Sequence, residues 1–184
     1  MIYTEQNLTF SFPDELAVLK LDQKGLSSPH GMQFVDFVIY QKDKTYLVEV
    51  KDLFHSRVPM AEREKNIKKL QSKKEFINET FVPKARDSYT YLHLMRKDHN
   101  PFEYIVLIAL GDFHNQEEIK ALIGAGFKTP LESRLKKETE EEWKRQYISN
   151  CAVLTLEMWN KYFPEWKAKR IPETSWMQHL TFHR

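Results

Sequence analysis

Apolar and polar positions along the chain follow two rhythms. Leu8-Thr9-Phe10-Ser11-Phe12 alternates with a period of two and predicts a short strand. Gln33–Tyr40 is apolar on both faces apart from Asp36, and Tyr46–Lys51 repeats the pattern with Glu49 and Lys51 embedded. The polar link Gln41-Lys42-Asp43-Lys44 is short enough to make these two runs an antiparallel hairpin. Phe102–Leu110 is almost continuously apolar, the pattern of a central strand covered on both sides. Ala152–Leu156 predicts a further strand.

The helical rhythm appears elsewhere. Pro13-Asp14-Glu15 has the proline and acids of a helix start, and Leu16, Ala17 and Leu19 predict a short helix reaching Lys20. From Met60 to Ile77, Met60, Ile67, Leu70 and Ile77 share one face, with Lys65, Lys68, Lys69 and Lys73 roughly opposite. Pro83 is expected to end that stretch, and Tyr89–Arg96 to form another helical piece. Gln116–Ile123 predicts a helix stopped by Gly124; Leu131, Leu135, Trp143 and Tyr147 mark a polar-faced helix; Leu156–Phe163 predicts one stopped by Pro164. Ser27-Ser28-Pro29-His30-Gly31 is loop composition. Strands interleaved with helices, without repeat or linker, imply one α/β domain over residues 1–184.

Composition narrows the class. The chain has 184 residues, 41% of them hydrophobic and 29% charged, which is a folding sequence and not a disordered one. Its one cysteine, Cys151, excludes an intramolecular disulfide framework and any zinc site built on several cysteines; a buried apolar thiol is expected. The first residues show no secretory pattern, and no apolar run is long enough to cross a bilayer. A cytoplasmic protein without membrane contact is the expectation.

Asp36, Glu49 and Lys51 stand out because burying a charge without a partner costs several kcal/mol. Strand alternation puts Glu49 and Lys51 on one face and Tyr46, Val48 and Val50 on the other. In a register-paired hairpin, Asp36 reaches the same face near Glu49. Two carboxylates and an ammonium on rigid backbone suit divalent-metal phosphate chemistry: Mg²⁺ takes one or two carboxylates plus water and phosphate oxygens. The alternative is an ion pair between Glu49 and Lys51 on the solvated face of an edge hairpin.

Asp36 in Phe-Val-Asp-Phe, followed thirteen positions later by Glu49-Val50-Lys51, resembles the PD-(D/E)XK nuclease superfamily. The runs Gly31–Phe37 and Tyr46–Asp52 carry the likeness. The resemblance implies a restriction-endonuclease-like fold, a three-layer core with a mixed central sheet flanked by helices, in the order helix, hairpin, helix, strand, helix, strand. It implies metal binding by Asp36 and Glu49, a further ligand from the Val50 carbonyl, and Lys51 as the catalytic lysine. Many members add a glutamate from the first helix; Glu15 is the best match, with Glu5 as rival. Val35 stands where the family's name has proline. The implied cofactor is Mg²⁺ or Mn²⁺, and the implied activity is phosphodiester hydrolysis of nucleic acid, DNA before RNA. A non-catalytic nucleic-acid- or protein-binding module with the same fold is the second reading, as a homodimer or a subunit of a larger assembly.

Acid-x-Lys alone is a weak signal, since the chain contains it five times; only Glu49-Val50-Lys51 lies in an apolar strand preceded by an embedded aspartate. The net charge of +2 hides an uneven distribution. Residues 51–97 hold 12 Lys and Arg against 6 Asp and Glu, and the rest hold 16 against 20. A basic stretch directly after the candidate acids suits a polyanion, with Lys65, Lys68, Lys69 and Lys73 as backbone contacts; an ordinary solvated helix face is the alternative. His55 is a loop residue beside the candidate site. His179 and His183 have helical metal-pair spacing but no third ligand, and read as surface tail. Trp143 and Trp159 are expected in the core; Trp166 and Trp176 are candidates for base stacking.

Overall fold

The computed structural model describes residues 1–23, 31–53, 58–110, 126–138 and 145–172. Eight strands form two sheets among these residues. Strands β1 (Ile2–Glu5), β2 (Leu8–Ser11) and β8 (Lys167–Arg170) make a small antiparallel sheet. Strands β3 (Ala17–Lys20), β4 (Phe37–Tyr40), β5 (Thr45–Asp52), β6 (Phe102–Ala109) and β7 (Asn150–Thr155) make a five-stranded mixed sheet in that order. Its first three strands are antiparallel; β5, β6 and β7 are parallel.

The expected hairpin forms, with Phe37 opposite Val48 and Tyr40 opposite Thr45. Alternate residues of the central strands feed two cores. Val38, Leu47, Val106 and Ile108 face helices, where Leu70, Phe81, Val82, Ala85 and Leu92 cover them. Phe37, Val48, Val50, Ile105 and Leu107 face the small sheet, against Leu8, Phe10, Trp159 and Trp166. The class is therefore mixed α/β, but one flank expected to be helical holds, among the described residues, a second sheet and one helix, α5 (Leu156–Tyr162). Buried on both faces, β5 and β6 read as near-continuous apolar runs for the reason given for parallel sheets.

The helical layer begins with α1 (Met60–Ser72) and α2 (Lys74–Phe76), passes through a π turn at Ile77–Phe81, and continues as α3 (Val82–Leu94). Residues 126–138 form a helix, α4, with Leu131 and Leu135 buried.

Four expectations need correction. Pro13–Lys20 is not a helix: Pro13–Leu16 turns, and Ala17–Lys20 pairs with Phe37–Tyr40 as edge strand β3. A four-residue apolar run has no decisive period, and pairing with an open strand edge overrides local propensity. Pro83 does not end the helical stretch. The π turn re-sets the hydrogen-bond ladder, so Pro83 falls in the first turn of α3, where a missing N–H costs nothing. Met60 is exposed, so the apolar face of α1 is shorter than its spacing predicts. Tyr147 lies beyond α4, in the segment entering β7. Strand β1 was not foreseen. Gln116–Ile123, Gly124, the Ser27–His30 part of the loop, His55, Trp143, Trp176, His179 and His183 lie outside the described residues. No helix among the described residues is long and apolar enough to cross a membrane.

Candidate active site

Strand β4 starts immediately after Asp36, so one further step of its register sets Asp36 opposite Glu49. The segment leading to Asp36 is held by α3 instead of by a neighbouring strand: Gln33 N donates to Asp87 Oδ2 at 3.0 Å, and Val35 N donates to Ser88 Oγ at 2.9 Å. Asp36 Oδ2 accepts a hydrogen bond from Val50 N at 2.6 Å. Just before β4 begins, the carboxylate thus takes over part of the pairing with β5.

Gln6, at the tip of the β1–β2 hairpin with φ of 52°, fills the rest of that open edge. Its Nε2 donates to Val50 O at 2.9 Å, and its Oε1 accepts from Asp52 N at 2.6 Å. The side-chain amide thereby imitates a strand neighbour and satisfies both backbone groups. The Val50 carbonyl, a metal ligand by resemblance, already accepts this bond.

Glu49 is fully buried on the helical face of β5. Lys51 Nζ lies 2.7 Å from its Oε1, and Lys84 Nζ, from α3, lies 2.9 Å from its Oε2. Both contacts are ion pairs by distance, yet neither oxygen has a well-angled hydrogen-bond donor. A solvated edge hairpin is excluded, because β5 is the middle strand of its sheet. Burial, and then repulsion from Glu49, push the Asp36 carboxyl up to about 8; Lys84 and the Val50 N–H pull against this. Burial works against the Lys84 ammonium, but Glu49 and Asp36 outweigh it and hold its pKa above the ordinary lysine value.

The two glutamates offered as a third acid are placed differently. Glu15 is exposed in the turn before β3, at the end of the sheet where Ala17 meets Tyr40, away from Asp36. Glu5, at the end of β1, is close enough to Asp36 to raise its pKa and pairs with Lys20 at 2.9 Å. The structure therefore brings Asp36, Glu49 and Lys51 together, adds Glu5 at the rim, and leaves Glu15 outside. Lys65 and Lys68 are exposed on α1, while Lys69 pairs with Glu75 and Lys73 lies at the α1–α2 junction. Trp159 and Trp166 are buried in the second core and unavailable for stacking on bases. Cys151 is buried, which pushes its thiol up to about 12.

Pattern reading missed Lys84 and Gln6. Lys84 stands one helical turn before the buried Ser88, a cation on the inward stripe of α3, and that was a usable signal. Gln6 left none, since its role depends on the hairpin tip meeting β5. No group of three His, Cys, Asp or Glu able to hold a metal occurs among the described residues. Comparisons of the chain with protein families, curated proteins and solved structures give no match.

Proposed function

We propose that the chain is a metal-dependent nuclease of the PD-(D/E)XK kind, hydrolysing phosphodiester bonds of nucleic acid, with DNA as substrate. The observation that carries this reading is the meeting of Asp36, just before β4, and Glu49, within β5, with two ammonium groups in one mostly buried cluster. The strand order supports it: an antiparallel β3–β4–β5 meander followed by a parallel β5-to-β6 crossover through helices. A strand stands where the resemblance implies a first helix, and Glu5, paired with Lys20, completes no three-acid group among the described residues, so the proposed site rests on Asp36 and Glu49.

The donor set fits a hard divalent cation. Both Glu49 oxygens are buried and touch ammonium groups without well-angled hydrogen bonds, and Asp36 is crowded by a second carboxylate. Mg²⁺ requires only one or two carboxylates beside water and phosphate oxygens, so Asp36 and Glu49 suffice. When bound, Mg²⁺ or Mn²⁺ supplies Lewis-acid stabilisation of phosphoryl charge and lowers the pKa of coordinated water. Lys51, whose side chain is 19% exposed, reaches the solvent side of the cluster. It orients the attacking water and offsets the charge that builds on the phosphoryl oxygens. Lys84 holds the second Glu49 oxygen and fixes the carboxylate's orientation.

One observation favours a second reading, a non-catalytic binding module: Glu49 already has an ammonium on each oxygen. Incubating DNA and RNA with the purified protein and Mg²⁺ or Mn²⁺, alongside Lys51→Ala, separates the two. The nuclease predicts cleavage that falls by about 100-fold or more in the variant while binding persists. Absence of cleavage by either form sinks the nuclease and leaves the module.

A further inference from the structure

An open hollow of about 430 Å³ lies between the α1–α2 junction and α4. Lys73 and Lys74 line it from one side, Arg134 and Lys137 from the other, with Asn78 and Ser133 adding polar groups. Two segments about sixty residues apart in sequence thus bring four cationic side chains around one cavity. Two acids near these segments have defined partners, and one of them pairs with Arg134 itself. Glu75 pairs with Lys69, and Glu138 is buried, accepting from Tyr147 Oη at 2.9 Å with Arg134 at 3.4 Å and Arg86 at 3.7 Å.

The backbone at the hollow is a second, independent observation. Lys73 has φ of 56° and ψ of −39°, a positive-φ conformation that costs a lysine about 1–3 kcal/mol and a glycine less. It breaks α1 from α2, and the π turn that begins at Ile77 follows within the same lining. Strained positive-φ residues and π turns concentrate at binding sites. Here both occur where the cations converge.

The geometry points to a phosphate-binding subsite for a nucleic-acid backbone in this hollow, on the helical side of the central sheet that also carries Lys84 to Glu49. This rests on the nuclease reading for its ligand but not on the acid cluster for its binding. Converging ammonium and guanidinium groups with amide and hydroxyl donors match the acceptor oxygens of phosphodiesters and read no sequence. The subsite extends the polyanion contact from the exposed face of α1 to α4, which the pattern of lysines on α1 alone does not include.

The test is fluorescence anisotropy of the full chain with a labelled DNA duplex in EDTA, so that cleavage and metal play no part. Lys73→Gly/Lys74→Gln should weaken binding by about 10-fold at ~0.1 M salt and reduce the slope of log affinity against log salt by about 2. Its melting temperature should hold or rise, because glycine relieves the backbone at position 73. Lys74→Gln/Lys137→Gln, which leaves that backbone alone, should weaken binding similarly. Lys167→Gln/Lys169→Gln removes the same charge from exposed positions on β8 and serves as the comparison. Little loss in that variant supports the subsite. Equal loss in all three, no loss in the hollow variants, or no duplex binding by the unaltered chain overturns it. A protein that binds through the hollow yet cuts nothing sinks the nuclease and keeps the subsite; one that cuts but ignores the hollow variants does the reverse.

Discussion

Lys84 Nζ lies 2.9 Å from Glu49 Oε2, joining helix α3 to the middle strand of the sheet through a carboxylate with no solvent exposure. Lys51 takes the other oxygen, so removing Lys84 leaves Glu49 half-compensated in a low-dielectric site. Breaking a buried pair from one side typically costs about 3–5 kcal/mol, whereas replacing both partners costs far less. Lys84→Met should therefore lose about 3 kcal/mol in urea unfolding. Lys84→Met/Glu49→Gln should recover most of that loss. A small, additive effect in the two variants would remove the ion pair from any account of stability.

Asp36 gives the protein a pH dependence of definite sign. Its folded-state pKa, about 8, lies above the ordinary carboxyl value, so the native state holds a proton that the unfolded state releases. This contribution is complete below about pH 4, and is lost as pH rises through about 8. Metal-free protein should melt at progressively lower temperature between pH 5 and 9 in EDTA. Asp36→Asn, which keeps an acceptor for the Val50 N–H, should flatten the profile. If Mg²⁺ or Mn²⁺ binds at Asp36 and Glu49, it should raise the melting temperature most at the alkaline end, where both carboxylates are ionised.

Gln6 can be tested apart from charge. Gln6→Ala leaves Val50 O and Asp52 N on β5 without their partner, and unsatisfied buried groups cost about 1–3 kcal/mol each, less where water reaches them. A loss of about 2 kcal/mol in urea unfolding is expected. Amide exchange at Asp52, followed by NMR, should accelerate more than exchange in the β4–β5 ladder. Uniform acceleration would mean that Gln6 supports the fold only globally.

Arg170 on β8 grips Asp52 with two bonds, Nη1 to Oδ2 at 2.7 Å and Nη2 to Oδ1 at 2.9 Å, although the two residues are 118 positions apart. The pair fastens the small sheet to the end of β5 just beyond Lys51. A bidentate, partly desolvated pair is one of the stronger ionic contacts. Arg170→Lys keeps the charge but not the fork, and should cost about 1 kcal/mol or more in urea unfolding. Arg170→Met should cost more, since Asp52 then stays buried without its countercharge. Equal costs would show that the fork geometry adds nothing.

The candidate site was legible to different depths. Asp36, Glu49 and Lys51 could be found because charges embedded in apolar strands are costly and strand alternation is strict. The short link announced the hairpin, but the register that aligns them was a condition that the pairing of Phe37 with Val48 supplied. Glu5 and Glu15 could not be ranked, because choosing between them required knowing that Pro13–Lys20 becomes a turn and an edge strand. The α1 lysines were visible as a stripe, but their convergence with Arg134 and Lys137 was not. Those residues share no local periodicity.

The sequence by itself determined what depends on neighbours along the chain: the alternating strands, the hairpin, the helix periods, the buried Cys151, and the three charged positions that demand an explanation. Tertiary structure alone decided which distant groups answer those charges. Lys84 arrives on a helix thirty-five positions after Glu49, Gln6 closes the open edge of β5 from a hairpin near the N-terminus, and Arg170 reaches Asp52 from the last strand. The physical reason is range. Dihedral preference and side-chain period act over a few residues, whereas a buried charge or unpaired backbone group can be satisfied by any donor or acceptor the packed layers bring within about 3 Å.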